Sequence, residues 1–142
     1  MTELTLAQAN AIVAGALDAA AELNLKPLGI CVLDAGGHMV AFVRQDGASI
    51  LRQQIADGKA FGALALGMGA RMVAKHAIDR PHFMQGLSGV SGGRVVPVPG
   101  GVLIRNASGN IIGAVGISGD TSDNDEAAAV AGIEAAGLTP EA

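Results

Sequence analysis

Two basic residues, Arg44 and Lys59, are the first candidates for chemistry in this sequence. Arg44 ends an apolar run at Arg44-Gln-Asp-Gly, where a guanidinium can hold a carboxylate through two parallel hydrogen bonds. Lys59 lies among small apolar residues, so its charge must reach solvent, find an ionic partner or face a ligand. Two interpretations stay open: Lys59 pairs with Asp46 and orders the loop, or Arg44 and Lys59 bind a carboxylate or propionate group.

Three histidines add a second set of candidates. His76 and His82 bracket the start of a Pro- and Gly-rich segment, beside Arg80 and Phe83. They are either solvated surface groups or pocket residues able to transfer protons or to ligate haem iron. His38 directly follows a predicted turn, and we expect it to be an exposed turn residue.

Several other chemistries are disfavoured by spacing or context. No cluster of Cys and His has the short spacing of a metal site, so no metal is predicted, and the lone Cys31 sits in an apolar run typical of a buried strand. The acidic run at 120–126 is better explained as a helix cap than as a calcium loop. Ser91 matches the Gly-x-Ser-x-Gly pattern by letters, but no strand precedes it and no histidine follows it.

Composition narrows the class of protein. The length of 142 residues is that of one domain, predicted over 1–142, and the net charge of −4 disfavours a nucleic-acid partner. A mean hydropathy of +0.43 is high for a small chain and predicts a homo-oligomer that buries apolar surface between subunits. The first ten residues lack a secretory signal and no apolar run is long enough to cross a bilayer, which predicts a cytoplasmic protein without membrane contact.

The elements that must position these residues follow from periodicity and turn chemistry. A capping box at Thr5 opens a helix to about Asn24. Hairpins are predicted over 29–44, turning at 34–37 with positive φ at both Gly36 and Gly37, and over 100–119, turning at 108–110. Further helices are predicted over 50–75 and 121–137, with an irregular segment over 76–100 that holds a short helix near 81–85. Two hairpins with helices nearby predict an α+β protein with one antiparallel sheet.

Glycines mark places where backbone must be approached closely. Gly58, Gly62 and Gly69 form one stripe of the predicted 50–75 helix, which must face the sheet or another helix. Gly100 and Gly101 return the chain to the sheet, where bare amides can bind an anion. We therefore predict a shallow pocket near a subunit interface, bounded by Arg44, Lys59, Phe83, Gly100 and Gly101.

Four segments together resemble one family. They are VLDAGGHMVAFVRQDGA (32–48), IADGKAFGALALG (55–67), PVPGGVLIRNASGNIIGAVGISG (97–119) and DNDEAAAVAGIEA (123–135). In this order they are similar to the family of GlcG, the haem-binding protein HbpS and the C-terminal domain of PduO-type proteins. The resemblance implies a profilin-like α+β fold with a sheet of about five strands, a dimer-based oligomer and, in some members, haem or another small ligand.

Three functional hypotheses follow. The first is a cytoplasmic oligomer that binds haem or a related carboxylated ligand near a subunit interface, through Arg44, Lys59, His76, His82, Phe83, Gly100 and Gly101. The alternative is an enzyme acting on a small carboxylated or carbonyl metabolite in a catabolic pathway, with Arg44 as anchor and Lys59, His76 or His82 as acid–base groups. The third is a structural or regulatory subunit without a ligand.

Overall fold

The computed structural model describes residues 3–142, and an antiparallel sheet of five strands organises them. The helices are α1 (Leu6–Glu22), α2 (Arg52–Leu66), α3 (Ala70–Asp79), α4 (Pro81–Val90) and α5 (Ser122–Ala135), and the strands are β1 (Gly29–Asp34), β2 (Met39–Arg44), β3 (Gly101–Arg105), β4 (Ile111–Ser118) and β5 (Thr139–Glu141). The strand order is β2-β1-β4-β3-β5, and every neighbouring pair is antiparallel. The predicted α+β class with one antiparallel sheet is confirmed.

Helices cover both faces of the sheet because successive strand residues point to opposite sides. On one face, α1 and α5 pack on a core that includes Ile30, Ile104 and Ile117. On the other face, the small residues of α2 pack on Cys31 and Leu103. The sheet is therefore the middle layer of three.

The prediction of one continuous helix over 50–75 is wrong. The segment divides into α2 and α3 at Gly67, which adopts a left-handed φ of 67° and ends α2. The irregular segment predicted over 76–100 is also shorter than expected, because α3 continues to Asp79 and Pro81 opens α4 at its first helical position. Within 76–100, only Arg80 and residues 91–100 lie outside the helices.

The sequence predicts the ends of helices and hairpins more accurately than the continuity of α2 and α3. The capping box at Thr5 is present, and the Thr121 hydroxyl accepts a hydrogen bond from the Asn124 amide at 3.2 Å. In the first hairpin turn only Gly37 has positive φ, at 81°, so the prediction for Gly36 was wrong. The sheet has five strands, as the resemblance implied, but the position of the fifth was not predicted; it is β5, which pairs with β3 at the edge of the sheet.

The glycine stripe of α2 does admit a close approach, but not from the expected direction. A Cβ at Gly58 would overlap the Arg94 carbonyl oxygen and lie 2.5 Å from Val96 Cγ2, and one at Gly62 would lie 3.1 Å from Val95 Cγ1. The irregular segment at 94–96, rather than the sheet or another helix, fills this stripe. The glycines of α2 thus allow that segment to lie flat on the helix.

Candidate functional site

Lys59 is in the protein interior, where its partner is Asp125 and not Asp46. The Lys59 side chain is 3% exposed, and its Nζ donates to Asp125 Oδ2 at 3.0 Å and to the Ile117 carbonyl oxygen at 2.9 Å. The interpretation in which Lys59 pairs with Asp46, one of the two that the sequence left open, is therefore wrong. Helix α2 supplies the lysine and the first turn of α5 supplies the carboxylate. The pair therefore links the two outer layers of the fold beside the start of β3.

Burial dominates the electrostatics of this pair. Desolvation lowers the pKa of Lys59, and the neighbouring Asp125 carboxylate opposes that shift. Desolvation likewise raises the pKa of Asp125, against the charge of Lys59 and the hydrogen bonds that the carboxylate accepts. The pair is a buried structural contact with no open side for a ligand.

Gly100 and Gly101 lie against Lys59, as the predicted pocket required, but they are buried. A Cβ at Gly100 would lie 2.9 Å from Lys59 Nζ, and one at Gly101 would overlap the Lys59 carbonyl oxygen. Gly100 also has a φ of 120°, which disfavours any residue with a side chain. Both glycines thus make room for the lysine, and their surroundings leave no space for a bound anion.

Arg44 lies apart from the other predicted site residues. It is exposed at the end of the edge strand β2, where it lines a surface hollow of about 450 Å³ with Pro27 and Asp46. Helix α3, which carries His76, packs against β3, three strand positions away from β2 in the sheet. The structure therefore does not bring Arg44 together with the histidines, and the arrangement does not favour the enzymatic alternative that needs them in one site.

His76, His82 and Phe83 do lie in one region, around the junction of α3 and α4. His76 is in the last turn of α3, and His82 and Phe83 are exposed in the first turn of α4. The guanidinium of Arg80, between the helices, lies 4.6 Å from the centre of the Phe83 ring, within the range of a cation–π contact.

A groove runs beside this junction; we call it the α3–α4 groove. Its volume is about 380 Å³ and its lining is largely apolar. The lining residues are Ala77, Pro81, Met84, Gln85, Ser88, Val95 and Pro97. His76, Arg80 and His82 are not among the lining residues, but His76 precedes Ala77 in the chain and Arg80 and His82 flank Pro81, so basic residues border an apolar groove. This combination suits a flat apolar ligand that carries a carboxylate.

Sequence reasoning missed the role of Arg94. Its Nε and Nη2 donate to the two carboxylate oxygens of Asp57 at 2.8 and 2.9 Å, and Nη2 also donates to the Gly37 carbonyl oxygen at 2.7 Å. The guanidinium lies 4.1 Å from the centre of the Phe61 ring. Arg94 therefore holds the first hairpin turn against α2. An arginine in a glycine-rich segment was the only signal, and it did not identify a partner.

Cys31 should be unreactive in the folded protein. It is fully buried, and desolvation together with the charge of Asp57 raises its pKa to about 12, against the influence of Arg94. We expect no measurable reaction with a disulfide reagent at pH 8 in native buffer and stoichiometric reaction in denaturant. The release of the coloured product measures the reaction. Rapid labelling of the native protein would contradict the burial of this thiol.

Two features are absent from residues 3–142. Among them, no group of three or more His, Cys, Asp or Glu side chains is arranged to hold a metal ion. No helix in this part of the chain has both the length and the apolar character needed to cross a membrane.

Comparisons with known proteins agree on one group. The model of the family described as haem degrading protein HbpS-like matches residues 4–134. Over 122 residues, 86% of this chain and 84% of the relative, the sequence is 31% identical to the 15.0 kDa protein in the dhaT-dhaS intergenic region of Citrobacter freundii.

Solved structures show the same likeness. The crystal structure of a PduOC–haem complex has a TM-score of 0.86, covers 99% of both chains and is 24% identical, which shows a shared fold. The crystal structure of HbpS has a TM-score of 0.81 and is 27% identical, with 94% of this chain and 90% of that chain covered.

Proposed function

The chain belongs to the HbpS-like family, as the sequence resemblance predicted, and from this premise we propose that it binds haem or a related carboxylated small molecule. The family description names haem degradation, so haem is the ligand to test first. We place the ligand in the α3–α4 groove. Lys59, Gly100 and Gly101 are left out of the proposed site because they are buried, and Arg44 because it lies at the far edge of the sheet.

The observation that carries this proposal is the chemistry of the groove. Haem needs an apolar surface for its ring, an axial ligand for its iron and a partner for its propionates. Met84, Pro81 and Val95 offer the apolar floor. His82 or His76 would hold the iron through an imidazole nitrogen, and the Arg80 guanidinium would pair with a propionate. Bound there, haem would supply redox and oxygen chemistry, while the chain orients it and limits access of water.

A homo-oligomer is part of the same proposal. The groove is open to solvent, and large apolar side chains stand exposed on the helices that form it. They are Met72, Ile78, Phe83 and Val90, with exposed fractions of 45%, 81%, 39% and 86%. A second subunit packed on these residues would bury them and cover the ligand. The cytoplasmic location stays a prediction from the sequence.

A haem titration tests the proposed site. The wild-type protein is expected to give a saturable Soret band with a stoichiometry of one haem per subunit or per subunit pair. His82→Ala or His76→Ala should shift that band and weaken binding at least about tenfold, because loss of an axial nitrogen removes an iron bond. His38→Ala is the matched control, since His38 lies outside the groove, and it should leave the titration unchanged.

Two results would oppose the proposal. Identical titrations of the wild type and both groove variants would place the haem elsewhere. Absence of any saturable band would remove haem as the ligand.

A further inference from the structure

Helix α4, which forms one wall of the α3–α4 groove, is held to the rest of the fold by few contacts. Among the helices and strands of residues 3–142, it packs against α3 alone. Met84 is the residue of α4 that is buried, and Leu87 packs beside it on a small cluster with Val73 of α3 and Val95. The position of α4 therefore depends on one small apolar cluster, apart from the main core on which α1, α2 and α5 pack.

Helix α4 also has little helical stability of its own. It has ten residues, fewer than the roughly 12–15 that an isolated helix needs in water. Gly86 and Gly89 lie within it, and each glycine disfavours the helical state relative to alanine. Helicity therefore depends on the packing of Met84 and Leu87. When these side chains leave the cluster, we expect α4 to unwind rather than to swing away as an intact helix.

The chain at both ends of α4 permits this change. Arg80, between α3 and α4, has φ of −136° and ψ of 65°, outside the helical region. At the other end, Gly92 and Gly93 have left-handed φ of 67° and 76°. A Cβ on either glycine would meet no atom of residues 3–142 within 4 Å. The backbone can therefore rearrange at both ends of α4 without displacing the segments that it joins.

The opposite wall of the groove, at 94–97, is anchored to α2. Arg94 donates to both carboxylate oxygens of Asp57, at 2.8 and 2.9 Å. The Val96 amide donates to the Gly58 carbonyl oxygen at 3.1 Å, on the stripe where the glycines of α2 let this segment lie flat. The groove thus has one wall fixed to the core and one wall that is weakly held.

We infer that α4 is the gate of the α3–α4 groove: it unwinds locally while the sheet, α2 and α3 stay folded, and it refolds over the ligand. Unwinding withdraws Met84, Gln85 and Ser88 from the lining and opens the groove along one side. The role of the gate rests on the proposed function, but the opening itself needs no haem. A second subunit resting on Phe83 and Val90 would oppose the opening, so the two measurements below use the same protein concentration.

Hydrogen exchange of the haem-free protein, followed by mass spectrometry, tests the opening. Amides of 85–90 should be protected about 100-fold less than those of 56–66 in α2. Gly86→Ala should raise the protection of α4 about fivefold, because alanine favours the helix. Asn10→Ala is the matched control, since Asn10 is exposed within α1 and its replacement also favours a helix, and it should leave α4 unchanged. Protection of α4 equal to that of α2 would overturn the gate.

Stopped-flow mixing with haem tests whether the opening controls entry. Gly86 lies outside the groove lining, and alanine there stabilises the closed wall equally with and without ligand. Gly86→Ala should therefore lower the association and dissociation rates by the same factor of about five and leave the dissociation constant unchanged.

Two kinetic results would overturn the gate. One is an unchanged association rate in Gly86→Ala although α4 is better protected, and the other is a slower association in Asn10→Ala by the same factor. Failure of haem to bind at all would contradict the proposed function alone, because the exchange comparison of α4 with α2 is made without haem.

Discussion

Replacement of Lys59 by methionine is expected to destabilise the protein by about 3–5 kcal/mol, the usual cost of removing one partner from a buried ion pair. Methionine keeps most of the apolar stem but leaves the carboxylate of Asp125, which is 1% exposed, without its counterion. The Ile117 carbonyl oxygen loses a donor as well. Urea unfolding at neutral pH measures the loss.

The pH dependence of this variant gives a second readout. Burial raises the pKa of Asp125 above the ordinary 3.8, and loss of Lys59 removes a group that lowers it. A folded pKa above the unfolded one means that the native state binds more protons, so stability increases as pH falls through that window. The deficit of Lys59→Met should therefore shrink as the pH is lowered from neutrality towards 3.8.

The chain offers matched controls for this experiment. Lys75 forms an ion pair with Asp79 at the surface, where its side chain is 64% exposed. Lys75→Met makes the same chemical change and should cost less than about 1 kcal/mol. In Lys59→Met/Asp125→Asn no charge is buried, so part of the stability should return. Equal losses in the two single lysine variants would contradict the buried pair.

Gly116→Ala is expected to destabilise the protein by more than about 3 kcal/mol, above the usual range for an overpacked core because backbone is in the way. A Cβ at Gly116, in the middle of β4, would overlap the Ala56 carbonyl oxygen and lie 3.0 Å from the Ala60 amide nitrogen. Helix α2 would have to move away from the sheet. The melting temperature, followed by circular dichroism, measures the effect.

Gly86→Ala is the matched control for this substitution. Gly86 lies within α4, where an added Cβ would meet no atom within 4 Å. Alanine there should stabilise the protein by about 0.4–1 kcal/mol, because it reduces the freedom of the unfolded chain. The same change thus has opposite signs at two glycines. A neutral Gly116→Ala would show that α2 does not rest on β4.

Much of the architecture was accessible from the sequence because local chemistry determines it. The two hairpins follow from alternating apolar residues around glycine turns. The helix caps follow from the capping box at Thr5 and from the polar run at 120–126, which precedes an alanine-rich segment. The break at Gly67 was missed because a single glycine within an apolar helical pattern is compatible with continuation. The short strand β5 has too few residues to give a periodic signal.

The candidate sites were less accessible, because they depend on contacts between distant segments. The sequence by itself determined that Lys59 needed a partner and that Gly100 and Gly101 needed close neighbours. Only the tertiary structure decided that these needs are met by each other and by Asp125, 66 residues along the chain. It also decided that Arg44 lies apart from His76 and His82. The physical reason is that residue type sets the cost of burying a charge, whereas the packing of helices on the sheet determines which charge is available to offset it.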